Sequence, residues 1–382
     1  MKVLMVRSLL SDNGPGTQSL TLAKDLRKRD VNVMFAAGGG AYVENIRQHD
    51  FLVEEIPELS PHGRSPFRTM RCIQRLRQVI VAYRPQIIHG HNAASTICGW
   101  LASVSAGTRL PCVTSVRGVE ERPTHQWRNL VWRRTPGILL GVCEKTKERL
   151  LSYGVPENKI RVTYNGVDIE RFTPLLKDGA EVRREFGLRG KIVVGCVGAM
   201  VAGPGIEGPT KGQDNLIRAI ANLKDDHPNI MALLVGDGPR RGMLEQLACH
   251  LGVTDKVIFA GRRFDVERML SAMDIYCLAS TFGEFFPNSI IEAMAMELPW
   301  VGSDIAGLGE LTAQGEAGWL SPPGDVEALT LNLRKLVQEK ELRTRRGRRG
   351  RLEVEERFTT GHVVKRLLAA YDAAGAAMGS WL

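Results

Sequence analysis

The feature that most constrains this 382-residue chain is a twofold alternation of short apolar, β-rich runs with amphipathic helical stretches. The first series opens with "KVLMV", turns through "SDNGPGTQ" into "SLTLAKDLRKR", and returns in "VNVMFAAGG". It continues through "QIIHGH", an apolar helix after "NAAS", "PCVTSV", "GILLGVC" and "IRVTYNGVD". A second series begins at "KIVVGCVGAM" and proceeds through "QDNLIRAIANLKDD", "IMALLVGDG", "RRGMLEQLACHLG", "VIFAG", "DVERMLSAM" and "IYCLAS" to "WVGSD" and "GWLSPPGD". Such alternation predicts parallel sheets covered by helices on both faces. Two series joined near "FTPLLKDGAEVRREFGLRGK" predict two doubly wound α/β domains, whose strand C-termini would face a ligand cleft.

A chain of this length exceeds what one hydrophobic core organises, which agrees with two domains. No apolar run approaches the ~20 residues that a membrane span requires. Arg7 interrupts the apolar start too early for a signal peptide. The seven cysteines lack any CxxC pair and read as reduced thiols of a cytosolic protein. The net charge of +9 is uneven: residues 1–170 hold 24 Lys/Arg against 15 Asp/Glu, and the remainder balances. Residues 61–134 carry twelve Arg and no Lys, with only Glu120 and Glu121 as acids. A basic half attracts polyanions such as lipid headgroups, nucleic acid or an acidic substrate; it also describes a solvated surface.

"TFGEFFPNSIIEAMAMELPWVGSDI" places Glu284 and Glu292 around the start of an apolar helix. Pro287 and Asn288 mark its first turn. Its free N–H groups and positive dipole end form a seat for phosphate. Glu292, about one turn (~5–6 Å) inside and held ionised by the dipole, would accept hydrogen bonds from two vicinal hydroxyls. Glu284 would reach a second polyol beyond the phosphates. The pattern hydroxyls–diphosphate–hydroxyls describes a nucleotide sugar. By spacing alone, a capping carboxylate and a solvated loop acid are the plainer reading.

In "NGPGTQ", Gly14 and Gly16 permit close backbone approach to a ligand but lack a full dinucleotide fingerprint. His89 and His91, two apart on a strand, point the same way without a third metal ligand at recognisable spacing. "RSPFRTMRCIQRLRQVIVAYR" spaces Arg64, Arg68, Arg71 and Arg75 helically, with Met70, Ile73, Leu76 and Ile80 on another side. "THQWRNLVWRR" interleaves Trp127 and Trp132 with Arg128, Arg133 and Arg134, reading as a loop suited to an anionic lipid surface. The helical stretch equally describes an ordinary core-packed helix. "RTRRGRRGR" reads as a solvated turn between late helices, its charge balanced by flanking acids, so nucleic acid is not expected as a partner.

"GEFFPNSIIEAMAMELPWVGSDIAGLGEL" resembles the Glu-x7-Glu signature of the family-4 glycosyltransferases, retaining enzymes of the GT-B fold. "LLVGDGPRRGMLEQLACHLGVTDKVIFAGRR", "KGQDNLIRAIANL" and "GEAGWLSPPGD" resemble the same family's second domain. "RPQIIHGHN" and "GVCEKTKERLLSYGVPENKIRVTYNGVDIERFTP" resemble its first. The resemblance implies an acceptor-binding domain over 1–172, a linker over 173–190 and a nucleotide-sugar domain over 191–357. A helix over 358–382 would cross back onto the first domain. It further implies Glu292 on the nucleotide ribose and Glu284 on the donor sugar. The stretch Phe286, Pro287 and Asn288 would hold the diphosphate on the backbone N–H groups available there. Gly236, Gly14 and Gly16 would lie against the donor, and Lys211 would neutralise the leaving diphosphate. No metal is implied; the donor would be a UDP- or GDP-sugar, and the acceptor a lipid-linked or anionic envelope glycan at the inner face of the cytoplasmic membrane.

The chain departs from that pattern twice. Ala199 and Met200 stand where relatives carry a phosphate-binding Arg, so Arg262 or Arg263 is expected to compensate. Arg117 in "TSVRG" stands where relatives carry His beside the reacting carbon, and suits an anionic acceptor or the departing phosphate. Arg117 thus joins Glu284 and Lys211 as a candidate catalytic residue. Arg68, Arg71, Arg75, Trp127, Arg128, Trp132 and Arg133 would form an acceptor or membrane face. A catalytically impaired sugar-nucleotide binder and a hydrolase or epimerase of the same fold remain the alternatives.

Overall fold

The first apolar run forms β1 (Lys2–Arg7), buried from its second residue onward. The computed structural model describes residues 1–10, 14–63, 65–118, 126–176, 178–203 and 210–379. Over these the chain divides into two compact units, 1–166 with 360–382, and 167–359.

In the first unit β1 leads to α1 (Gly14–Arg27), β2 (Asn32–Ala37), α2 (Val43–Arg47), β3 (Leu52–Glu55) and α3 (Pro66–Tyr83). Then follow β4 (Ile87–Gly90), α4 (Ala93–Ser105), β5 (Cys112–Val116), α5 (Gln126–Arg134), β6 (Ile138–Gly141), α6 (Glu144–Ser152) and β7 (Ile160–Val162). The strands pair in parallel in the order β3-β2-β1-β4-β5-β6-β7. Short strands of Val, Ile and Leu buried on both faces are what a helix-covered parallel sheet requires.

The second unit contains α7 (Gly179–Glu185), β8 (Ile192–Val197), α8 (Gln213–Leu223), β9 (Ile230–Val235), α9 (Arg241–His250), β10 (Val257–Gly261) and α10 (Val266–Ser271). It continues with β11 (Ile275–Leu278), α11 (Asn288–Ala295), β12 (Trp300–Ser303), β13 (Gly318–Ser321), α12 (Val326–Gln338) and α13 (Lys340–Arg357). Its parallel sheet runs β10-β9-β8-β11-β12-β13. Residues 167–176 and 178–190, covering the described part of the expected linker, belong to this unit; Arg183 on α7 pairs with Asp274 at 2.7 Å.

The last helix, α14 (Thr360–Gly379), belongs to the first unit. Val364, Leu367, Ala370, Tyr371 and Ala374 join Leu20, Ala23 and Phe35 in one buried cluster, so the chain's end seals the α1 face of that sheet.

The arginine-rich tract expected as a turn lies inside α13. Gly347 and Gly350 explain why. A Cβ on Gly347 would meet the carbonyl oxygen of Glu297, just beyond α11, at 1.9 Å, and one on Gly350 would touch Met294 of α11. Two glycines about one turn apart therefore let α13 press against α11. Arg351 then donates to the carbonyls of Phe172 and Ala295 at 2.8 and 2.7 Å, and Arg346 stacks 3.7 Å over Trp319. The tract is structural bracing.

Candidate active site

The second sheet reverses its strand order between β8 and β11. Loops leaving the carboxyl ends of such a pair diverge and open a crevice, where doubly wound folds hold ligands. The loop after β8 ends in Lys211, and the loop after β11 carries Glu284. Gly212, at φ +68°, turns the chain into α8; a Cβ there would lie 1.8 Å from the carbonyl oxygen of Ala279, so only glycine fits. The Lys211 stem lies over Gly198, where a Cβ would come within 2.9 Å of its Cγ. Gly236 backs this loop: its own Cβ would strike the carbonyl oxygen of Gly198 at 2.1 Å. Its place here is one of backbone packing beneath Lys211. The lysine ammonium and the Glu284 carboxylate meet as an ion pair.

Pro287 takes an extended conformation (φ −71°, ψ 128°) and leads into α11, whose start receives no side-chain cap. Phe286 is 3% exposed, with its ring 5.2 Å from Phe358, and this burial anchors the loop. Three polar atoms around the crevice are buried without a hydrogen-bond partner: Gln213 Oε1, Ser280 Oγ and Asn288 Oδ1. Each such group costs about 1–3 kcal/mol unless something satisfies it, and a cluster of them marks a place built for a polar ligand. Beneath them Tyr276 Oη lies 3.4 Å from both the N–H and the carbonyl of Val197, and a Ser289 hydrogen bond acts on it as well. This fully buried phenol ties β8, β11 and α11 together. "IYCL" reads only as an apolar strand, so nothing in the sequence singles the hydroxyl out.

Glu292 lies one turn inside α11 and is partly buried. Burial pushes its carboxyl up to about 7, opposed by Arg171 and reinforced by Glu267. The expectation that the helix dipole holds it ionised is thus corrected: desolvation outweighs the dipole. The two neighbours pair with each other at 2.7 Å, so their charges largely cancel at Glu292.

The proposed replacement for the missing arginine fares differently. Arg263 is held by Asp265 at 2.8 Å and Glu185 at 2.9 Å, which commits its guanidinium to carboxylates. Arg262 is exposed and lies 5.5 Å over the Phe264 ring. Met200 is fully buried and hydrogen-bonded through its backbone to Asp237 and Arg240, so the position of the absent arginine is occupied by core packing. Residues 204–209 of the adjoining loop lie outside the described residues.

The first sheet reverses between β1 and β4, and charged and polar side chains gather there too. Arg7, the last residue of β1, is 5% exposed and donates to Ser19 Oγ and, at 3.4 Å, to His91 Nδ1. The His89 and His91 rings stack at 4.6 Å, in keeping with their shared direction. His89 bridges Tyr371 Oη and Ser115 Oγ, each at 2.8 Å. Burial, reinforced by the guanidiniums, pushes His89 down to about 3 and His91 well below its usual range, so both rings are neutral. Arg117 donates to Gln18 Oε1, and Gln18 donates to Asn165 Oδ1 at 2.8 Å. A cavity here is lined by Gln18, His89, Ser115, Arg117, Thr163 and Asn165. Gly14 and Gly16 fall in the first turn of α1, not in a loop before it; Asn13 lies outside the described residues. Among the described residues, no group of three or more His, Cys, Asp or Glu is placed to hold a metal.

The basic face is partly neutralised. Arg71 pairs with Glu58 at 3.2 Å, Arg75 with Glu54 at 3.1 Å, and Arg68 donates to the Pro57 carbonyl. Met70 does not share the buried side of α3 with Leu76 and Ile80: it is 61% exposed, beside Phe67 at 76%. Arg64 lies outside the described residues. The Trp/Arg segment is not a loop from Gln126 onward but the helix α5. Trp132 is half-buried and packs against the cluster of Val116, Leu139 and Leu150; Arg133 is exposed. Trp127 and Arg128 have helical backbone, and their side chains lie outside the described residues. No described helix is long and apolar enough to cross a membrane.

Comparison with known proteins agrees with this architecture. The family "Glycosyltransferase Family 4" matches residues 12–171, and "Glycosyl transferases group 1" matches 205–353. A D-inositol 3-phosphate glycosyltransferase of Stackebrandtia nassauensis is 32% identical, over 75% of this chain and 67% of its own. The N-acetyl-alpha-D-glucosaminyl L-malate synthase of Bacillus anthracis is 24% identical over 94% of both chains. Among solved structures, Anabaena HepE in complex with UDP superimposes with a TM-score of 0.82 at 23% identity, covering 98% of this chain and 100% of its own. The chain is a glycosyltransferase and belongs to family 4, with the GT-B fold.

Proposed function

We propose that this enzyme transfers a hexose or N-acetylhexosamine from a UDP- or GDP-sugar, with retention at the anomeric carbon and without a metal, to a lipid-linked or anionic glycan of the bacterial envelope. The observation that carries the proposal is the Lys211–Glu284 pair at the β8/β11 reversal, bordered by the partnerless Gln213, Ser280 and Asn288 atoms. An arriving diphosphate displaces Glu284 from Lys211 and rests on the amino end of α11. Glu284 is then released to the donor sugar's hydroxyls, and Glu292 accepts the two ribose hydroxyls. As the anomeric C–O bond to the β-phosphate breaks, charge accumulates on the leaving diphosphate, where Lys211 and the helix dipole stabilise it. The acceptor oxygen bonds to the same face of that carbon, and its proton passes to the departing phosphate oxygen. No protein nucleophile is needed.

HepE is described with UDP, and the names of the two curated relatives give them an inositol phosphate and malate, both anionic. The exposed Phe67 and Met70 beside Arg68 and Arg71 support peripheral contact with an anionic membrane, at the inner face of the cytoplasmic membrane where nucleotide sugars are supplied. A panel of UDP- and GDP-sugars with envelope glycolipids as acceptors tests the reading. Transfer that is lost in Lys211→Ala, with the anomeric configuration retained in the product, supports it. Acceptor-independent hydrolysis as the only reaction would point to a hydrolase.

A further inference from the structure

The β1/β4 reversal in the first unit holds groups that the transfer chemistry above does not use. His91 Nδ1 faces an Arg7 guanidinium nitrogen, which can only donate, so Nδ1 is the acceptor. The ring is neutral, so its single proton sits on Nε2, and that atom is buried without a hydrogen-bond partner. Arg117 Nε is likewise a buried N–H without a partner, and among the described residues no carboxylate pairs with Arg117. Both orphaned atoms are therefore donors. The two guanidiniums are close enough that Arg117 adds to the effect of burial in lowering Arg7 to about 9. Burial alone brings Arg117 to about 10. The His91 imidazole N–H and the Arg117 guanidinium N–H, buried and unsatisfied, call for an acceptor that carries negative charge.

We infer that Arg7, His91 and Arg117 form a seat for an oxyanion, phosphate or carboxylate, carried by the acceptor substrate. The inference rests on the transferase reading and gives its acceptor a required chemical feature. His91 Nε2–H and Arg117 Nε–H supply directed hydrogen bonds, while the guanidiniums supply charge. Arg7 is fixed by Ser19 and His91 and so acts from a preset position. The arrangement also accounts for arginine at 117: an imidazole there would offer one proton, whereas guanidinium stays charged at any working pH.

Thermal unfolding of the full chain tests this with inorganic phosphate and with malonate as probes. Saturating UDP is present to occupy the donor site, and sodium chloride controls for ionic strength. The expected result is a Tm rise of roughly 2–3 °C at ligand concentrations about tenfold above Kd. The rise should vanish in Arg117→Gln and persist in Lys211→Gln. Circular dichroism and a retained UDP shift show that Arg117→Gln is folded. A larger shift with phosphate identifies a phosphorylated acceptor, and one with malonate a carboxylated acceptor. An intact UDP shift with no response to either anion overturns the inference while leaving the transferase reading standing; an acid of the chain itself would then neutralise the cluster. Equal responses in Arg117→Gln and wild type also overturn it. A lost UDP shift in wild type strikes at the transferase reading instead.

Discussion

Lys211 and Glu284, 73 residues apart in sequence, face each other as an ion pair across the strand-order reversal of the second sheet. The pair holds together the two charges that the proposed transfer would use. Replacing Lys211 with Ala should lower kcat by ~10²-fold or more, the scale of losing one charge-stabilising donor. Glu284→Gln should cut kcat/KM for the donor sugar comparably and change the Kd of UDP or GDP alone less than about threefold. Steady-state kinetics and calorimetry measure both. Equal losses for free nucleotide and donor would place Glu284 on the phosphates.

The raised Glu292 carboxyl gives the protein a pH signature. Its folded value is about 7, against 4.5 when unfolded, so the folded state binds the extra proton between those values. Stability therefore falls as pH rises from about 4.5 to about 7, by an amount on the order of 2–3 kcal/mol for this one group. Glu292→Gln should flatten that part of the profile and raise Tm at pH 8 relative to wild type. Urea titrations at pH 5, 6, 7 and 8 provide the comparison.

Gly347→Ala should destabilise the second unit by about 3 kcal/mol or more, because the new methyl would overlap the Glu297 carbonyl at 1.9 Å and force α13 from α11. Gly242, on α9 with open space around it, is the control. There alanine should stabilise by about 0.5–1 kcal/mol through helix propensity. Differential scanning of the two variants decides whether the α13 glycines are there for close packing.

Phe67 and Met70, standing out from α3 among arginines, should drive sedimentation with liposomes containing anionic lipid, and salt should weaken it. Phe67→Ser with Met70→Ser should reduce the bound fraction severalfold without lowering Tm, since neither side chain contributes to the core. Binding that ignores lipid charge, salt and both substitutions would remove the membrane from the account.

The two sheets were legible because buried parallel strands write themselves as runs of Val, Ile and Leu, and their helices as periodic stripes. Lys211 and the helix after Pro287 were legible for a related reason: Gly212 and Pro287 punctuate the chain where the crevice opens. Less was readable where long-range packing decides. Trp132 looks like an interfacial anchor, yet part of its ring packs against Val116, Leu139 and Leu150. "RTRRGRRGR" looks like a charged turn because the two glycines that admit it to α11 carry no hydrophobic signal. Arg7 reads only as the end of a strand; that it is buried beside His91 follows from the pairing of β1 with β4. The value of Glu292 depends on the surrounding walls and on Arg171, far away in sequence.

The central claim is that a nucleoside diphosphate lies at the start of α11 with its ribose hydroxyls on Glu292. Calorimetry of UDP and GDP against their 2′-deoxy forms, in wild type and Glu292→Ala, tests it most directly. For the cognate base, wild type should prefer the ribonucleotide by about tenfold or more, about 1.4 kcal/mol. Glu292→Ala should weaken its binding by a similar factor and abolish the preference. Undiminished ribonucleotide affinity in Glu292→Ala, with discrimination against the deoxy form intact, would contradict the account.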